Sequence, residues 1–213
     1  FLDTFDVDPP LSDTATDDAW YPDRYPPAVF ESAYFDGDNR LHVAVSADDY
    51  LPYGSTFYNF QGRKFNLWND LNTYITADLY IGSDWETQQR HASLWATTYD
   101  VDGIISGYPI AGFTAGTGFR IFTQDTDQDT SNGYQAGWYD IVLPEGFAYG
   151  DWYTVRAELT ENDYRYYLNG ELAWTDIATF DSVLWANMML QAYNYGEDYD
   201  VYWDNVGAGR IGN

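Results

Sequence analysis

The stretch Trp152–Thr175, reading WYTVRAELTENDYRYYLNGELAWT, constrains the fold of this chain more than any other. Asn169-Gly170 supplies the two positive-φ positions of a tight type I′ hairpin between Tyr164–Leu168 and Glu171–Thr175. Glu161-Asn162-Asp163 makes a second turn, back to Trp152–Thr160. The three segments are rich in Tyr, Val, Thr and Trp, residues that pack on a pleated, half-buried surface. They read as consecutive antiparallel strands. Such a meander makes the chain a β-sandwich, and its neighbours can be read in register with it.

Phe1–Asp8 alternates apolar and polar residues and reads as a first strand. Further strands are expected at Ala28–Phe35 and Arg40–Ser46 around an Asp36–Asn39 turn, at Ser55–Gln61 and Arg63–Trp68 interrupted by Gly62, and at Asn72–Ile81. Arg90–Tyr99, Tyr108–Thr114, Gly118–Thr123, Gly133–Leu143, Leu184–Tyr193 and Asp200–Val206 follow. About a dozen strands joined by Gly, Asn and Asp turns, with no convincing helix, define an all-β, two-sheet antiparallel sandwich. No repeat or linker divides it, so residues 1–213 form one domain. Pro9–Pro27 is a long irregular segment carrying Trp20, Tyr21, Arg24 and Tyr25. Loops of that length are usually functional or poorly ordered, and the aromatics of this one predict that it is packed down. This one serves either as an aromatic latch over a sheet edge or as one wall of a binding site.

The net charge of −25 rests on 34 acids against 9 Lys and Arg, with Lys64 the only lysine. A phosphate backbone needs a basic stripe, so nucleic acid is excluded as a partner, and anionic membranes and polyanionic glycans are disfavoured. No run of apolar residues is long enough for membrane insertion as a helix. The absence of Cys rules out disulfides and thiolate metal sites, so a structural metal would be held by oxygen. The chain starts Phe1-Leu2-Asp3, which fits a processed secreted protein as well as an excised piece.

The order of segments resembles the concanavalin A-like jelly roll, the superfamily of laminin-G-type modules, legume-type lectins and the laminarinase and lichenase glucanases. The W-Y-T-V…Y-L-N-G meander over Asp151–Thr175 carries the resemblance best, with echoes at Phe35–Leu41, Leu184–Tyr193 and Tyr202–Val206. The resemblance implies that the hairpin lies at one edge of a concave sheet. It also implies an E-x-D-x-x-E strand in the glucanases, whose alternate carboxylates share one face as nucleophile and acid. The matching segment here, Tyr108–Ala115 (YPIAGFTA), has no carboxylate. Jelly-roll polysaccharide lyases offer another pattern: Arg156-Ala157-Glu158-Leu159 matches their R-x-E-L, and Gln89-Arg90-His91 resembles their Q-I/V-H. The order of the two is reversed and the Y-x-K-x-G element is missing.

The same resemblance implies a structural Ca²⁺ that pins the first strand to the last. The matching positions are Asp204, Gly37 and the neighbourhood of Asp3. Asp125-Thr126-Asp127-Gln128-Asp129 echoes an EF-hand start but lacks its Gly and Glu. His42 and His91 are too far apart in sequence to suggest zinc.

On the jelly-roll topology the concave face displays Arg90, Trp95, Tyr108, Arg120, Gln135, Trp138, Gln191 and Tyr193. Rings that stack on sugar faces, interleaved with planar hydrogen-bonding groups, suit a neutral carbohydrate. Trp68 and Trp85 lie in or beside loops, where exposure points to function. Period-two alternation leaves open which parity faces outward. The expected function is a secreted, non-catalytic carbohydrate-binding domain with a structural calcium, its partner a polysaccharide or other glycan. The alternatives are a self-associating extracellular or cell-surface protein, and a polysaccharide lyase.

Overall fold

Alternation of apolar and polar residues turns into two stacked antiparallel sheets. The computed structural model describes residues 1–51, 56–67, 72–123, 137–161, 163–177 and 182–211. Its strands are β1 (Leu2–Asp3), β2 (Tyr21–Pro22), β3 (Val29–Phe35), β4 (Asp38–Val45), β5 (Phe60–Asn66), β6 (Tyr74–Ile81), β7 (His91–Tyr99) and β8 (Ile105–Gly107). They continue with β9 (Ile110–Thr114), β10 (Gly118–Thr123), β11 (Gly137–Asp140), β12 (Asp151–Leu159), β13 (Asp163–Leu168), β14 (Glu171–Ile177), β15 (Leu184–Tyr193) and β16 (Tyr199–Gly209). One sheet runs β14-β13-β12-β6-β16-β4-β3, with β1 added to β16. The other runs β11-β10-β9-β7-β15-β5-β2, with β8 added to β7.

The inward parity of each strand fills the space between the sheets. On β6 it is Ile75, Ala77, Leu79 and Ile81; on β7 Ala92, Leu94 and Ala96; on β15 Met188, Leu190 and Ala192. All are buried, as are the larger rings of Trp185, Trp203, Tyr164 and Tyr166. Burying a ring of this size removes about 150–250 Å² from water, so these residues dominate the core. Among the described residues no helix is long and apolar enough to cross a membrane.

The meander forms as expected, and Asn169 (φ 51°) and Gly170 (φ 80°) make its I′ turn. It lies at the edge of the first sheet, however, and not of the sheet drawn from Arg90–Tyr99 and Leu184–Tyr193. The reason is pairing: β12 hydrogen-bonds to β6 over its whole length, from Asp151↔Ile81 to Glu158↔Tyr74. The first strand is shorter than its pattern, because Phe5 takes φ 56° and turns its ring into the core. Gly62 does not interrupt β5. A Cβ there would lie 2.3 Å from the Leu190 carbonyl oxygen, so only glycine lets β5 and β15 stay in register at that point.

The Pro9–Pro27 segment folds back over the edge of the second sheet. Trp20 is fully buried, with ring centroids of Phe30 and Phe65 each 5.4 Å away. Arg63 Nη1 donates to the carbonyls of Ser12 and Trp20 at 3.2 and 3.3 Å. The latch therefore exists, and its continuation through β2 has a second role described below.

Candidate functional site

Register across the second sheet sorts its outward side chains into transverse rows. One row reads Lys64, Met189, Trp95, Ile110, Phe122 and Trp138, one residue from each of six adjacent strands. The next reads Gly62, Gln191, Ser93, Gly112, Arg120 and Asp140. On the other side of the first row stand Asn66, Asn187 and Thr97. A groove of about 550 Å³ lies over the first row. It is also lined by Tyr99, Ile105 and Tyr108 near β8, and by Asp23 and Arg24 just after β2. Six strands at the usual spacing of about 4.8 Å give the row a span of roughly 24 Å.

The Tyr21–Tyr25 segment is tied down by its backbone and by ion pairs. Asp23 N donates to the Gly62 carbonyl at 3.2 Å, and Gly62 N to the Tyr25 carbonyl at 2.9 Å. Asp23 accepts Lys64 Nζ at 2.6 Å, Arg24 Nη2 at 2.8 Å and Gln191 Nε2 at 3.1 Å. The Arg24 guanidinium lies over the Trp95 ring, 5.6 Å from its centroid. Burial lowers the pKa of Arg24, and the charge of Asp23 works against that.

Trp95 is held from below. Its Nε1 donates to Ser93 Oγ at 2.5 Å; Ser93 Oγ is 3.0 Å from His91 Nε2, and His91 Nδ1 is 2.7 Å from Thr114 Oγ1. Burial, helped by the charge of Arg120, pushes the pKa of His91 down to about 3. The imidazole is therefore neutral, with one donor and one acceptor nitrogen. Every group in the chain is satisfied when Ser93 donates to Nε2 and Nδ1–H donates to Thr114. The Asn187 Oδ1 acceptor, in contrast, is buried in the groove lining with no hydrogen-bond partner.

Of the eight residues expected on this face, Trp95, Tyr108 and Trp138 line the groove. Arg120 stands in the adjacent row, its guanidinium 5.4 Å from the Trp138 ring centroid and its Nε 2.7 Å from Asp140 Oδ1. Gln191 is 1% exposed and donates to Asp23 while accepting from Arg24, so it forms part of the floor. Tyr193 packs against Phe60 and Tyr195 and accepts from Asn59 at 3.1 Å. Arg90 does not join the others. It is buried, stacks over Tyr199 at 4.8 Å and binds Glu197 at 2.8 Å, beside a separate cleft of about 490 Å³. Gln135, Trp68 and the Asp125–Asp129 run lie outside the described residues. Trp85 is not exposed: it is 1% accessible, on a short 3-10 turn against Phe113 and Tyr199. The pattern missed Asp23, Lys64, Asn187 and Phe122. Once Trp95 and Met189 are known to face outward, period two marks Thr97 and Asn187 with them.

The lyase pattern does not assemble. Arg156 and Glu158 are on β12 of the first sheet, bonded to each other at 2.8 Å, whereas His91 is on the second. Of the three positions expected for calcium, Asp3 and Asp204 have hydrogen-bond partners within the protein. Asp3 Oδ1 accepts from Phe5 N at 2.9 Å. Asp204 Oδ1 accepts from Asn205 N at 2.7 Å, and Oδ2 binds Arg40. Gly37 occupies the β3–β4 turn at φ 89°. The fit to an oxygen-bound cation is therefore poor, because Arg40 already neutralises Asp204. Among the described residues no three or more His, Asp or Glu are grouped to hold a metal. The first strand is joined to the last by backbone pairing, Leu2↔Gly207 and Asp3↔Val206.

No protein-family model matches the chain, and no curated protein does. Solved structures do. A sialidase superposes with a TM-score of 0.53 at 11% identity, over 90% of this chain and 17% of its own. The GlcNAcα1-4Gal-releasing endo-β-galactosidase of Clostridium perfringens gives 0.62 at 12% identity, over 97% of this chain and 61% of its own. A β-glucanase of Bacillus licheniformis gives 0.56 at 14%, over 99% and 98%. This chain thus spans less than two thirds of each of the first two. At such identities the likeness is one of fold, and the fold is the concanavalin A-like jelly roll.

Proposed function

We propose that this domain binds a stretch of polysaccharide across the strands of its second sheet, without cleaving it. The observation that carries the reading is the row of Trp95, Phe122 and Trp138 beneath a groove with an unpartnered buried acceptor at Asn187. Rings supply flat apolar faces for sugar C–H groups, and a buried Oδ1 without a donor is satisfied by a hydroxyl. A span of roughly 24 Å suits a chain of several sugars better than a single one. The solved structures named above for glucan and galactoside chemistry use the same fold.

The non-catalytic part of the reading rests on the groove's carboxylates. Two-carboxylate glycoside hydrolysis needs a pair about 5–9.5 Å apart across the scissile bond. Among the described residues the lining contributes Asp23 alone, and Lys64, Arg24 and Gln191 engage it. The outward residues of β9, where the glucanase carboxylates were expected, are Ile110, Gly112 and Thr114. A domain of this kind works outside the cell or at its surface, where polysaccharide is met.

Retardation in native gels cast with neutral and acidic polysaccharides tests the proposal, followed by calorimetry with the oligosaccharides of any hit. Retardation by at least one, lost on Trp95→Ala, is expected. No retardation by any of them removes the reading, and release of reducing ends or unsaturated products would replace it with an enzyme.

A further inference from the structure

We infer that the bound glycan carries an isolated anionic substituent, a carboxylate or a sulfate ester, received by Lys64 at the β5 end of the ring row. The inference rests on the carbohydrate reading above. In the whole chain acids outnumber bases 34 to 9, yet among the described residues the groove lining reverses that ratio, with Arg24 and Lys64 against Asp23. Lys64 is the only lysine, its side chain is 24% exposed, and among the described residues Nζ forms one ion pair, to Asp23. An ammonium has three donors, so two remain for a ligand. Asp23 is fixed between Lys64, Arg24 and Gln191 and compensates one positive charge of two. The neighbouring Arg24 is desolvated far enough to lower its pKa, which an incoming anion would relieve.

The surplus amounts to a single charge in a protein of −25. A polyanion would be repelled along most of its length, whereas one acidic group on an otherwise neutral chain gains the local attraction. Asn187, whose partnerless Oδ1 needs a donor, stands two residue pairs along β15 and β5 from Lys64, on the same face. The groove thus offers separate places for an anion and for a hydroxyl.

The test is calorimetry on the full chain with three oligosaccharides of one backbone: neutral, bearing one uronate, and bearing one sulfate ester. The acidic forms should bind roughly tenfold more tightly at low salt, with the advantage shrinking as salt rises. Lys64→Met should weaken the acidic forms more than the neutral one and so erase that advantage, with circular dichroism showing that the variant folds. Lys64→Arg should restore it. Preference for one of the two acidic forms identifies the substituent. A neutral form that binds as well as both acidic forms overturns the inference alone, as does a Lys64→Met variant that keeps the acidic preference. Binding of none of the three overturns the carbohydrate reading and this inference with it.

Discussion

Both faces of the sandwich carry a transverse row of rings. On the second sheet Trp95, Phe122 and Trp138 lie along one row that lines the groove; Trp95 packs on Phe60 with Arg24 over its ring, and Phe122 and Trp138 meet edge to face at 5.5 Å. On the first sheet His42 pairs across to Tyr202 and Tyr80 to Trp152, but there the rings close on each other. Phe35 lies flat on Tyr202, centroids 3.7 Å apart and planes 5° apart, and Tyr202 lies 5.2 Å from His42. The two clefts differ in charge as well. The one beside the first-sheet rings is lined by Asp84, Asp198 and Asp200 against Arg90, the groove by Asp23 against Arg24 and Lys64. The contrast teaches that a count of aromatics says little about binding. What matters is whether the rings line a groove that a ligand can enter.

The largest effect tests the element on which the groove's end depends. Trp20→Ala should cost about 3–5 kcal/mol in denaturant unfolding, because it empties the space between Phe30 and Phe65. A loss under about 1 kcal/mol would mean the latch is ornamental. Next comes the comparison itself. Trp95→Ala should weaken glycan binding by about 2 kcal/mol or more in calorimetry, whereas Tyr202→Ala should leave affinity unchanged. Equal losses from the two would erase the distinction between the faces. Arg40→Met should lower stability by about 1–3 kcal/mol, since it strands the buried Asp204 carboxylate.

Acid acts on the two sheets in opposite directions. His91 on the groove sheet has a pKa depressed below its unfolded value, so its contribution is intact above about pH 6.5 and is lost as pH falls toward about 3. Asp176 on β14 has its pKa raised by burial, against a hydrogen bond from Thr123, so ionisation penalises the fold. That penalty is relieved as pH falls through the raised pKa toward the ordinary aspartate range near 4. Melting curves over that interval should show His91→Gln flattening the acid loss and Asp176→Asn removing the acid gain. Smallest of all, EDTA should leave the melting temperature unchanged, because Arg40 serves as the counter-ion of Asp204. A drop would return a cation to that site.

Much of the fold could be read from local chemistry. Asn169-Gly170 had to turn, and Gly118–Thr123 and Leu184–Tyr193 form strands with the bounds their patterns suggested. Those signals depend on neighbours in sequence. The site depends on distant ones: Asp23 and Gln191 meet across 168 residues, and nothing near Asp23 announces that partner. Alternation marked two faces on Arg90–Tyr99 without showing that Trp95 looks outward and Leu94 inward. Trp85 misled because a loop position suggested exposure, while Gly82 lets the chain turn tightly enough to bury the ring.

The Tyr21–Tyr25 segment has a consequence in time. One end of the groove comes from the first 25 residues and its floor from β15, so the contacts that complete it close some of the longest loops in the chain. Such contacts pay the largest chain-closure entropy and form late. During refolding, the fluorescence and circular dichroism of the sandwich should recover before the capacity to bind glycan does. Ligand binding would then report the arrival of the last piece of the protein, not the assembly of its sheets.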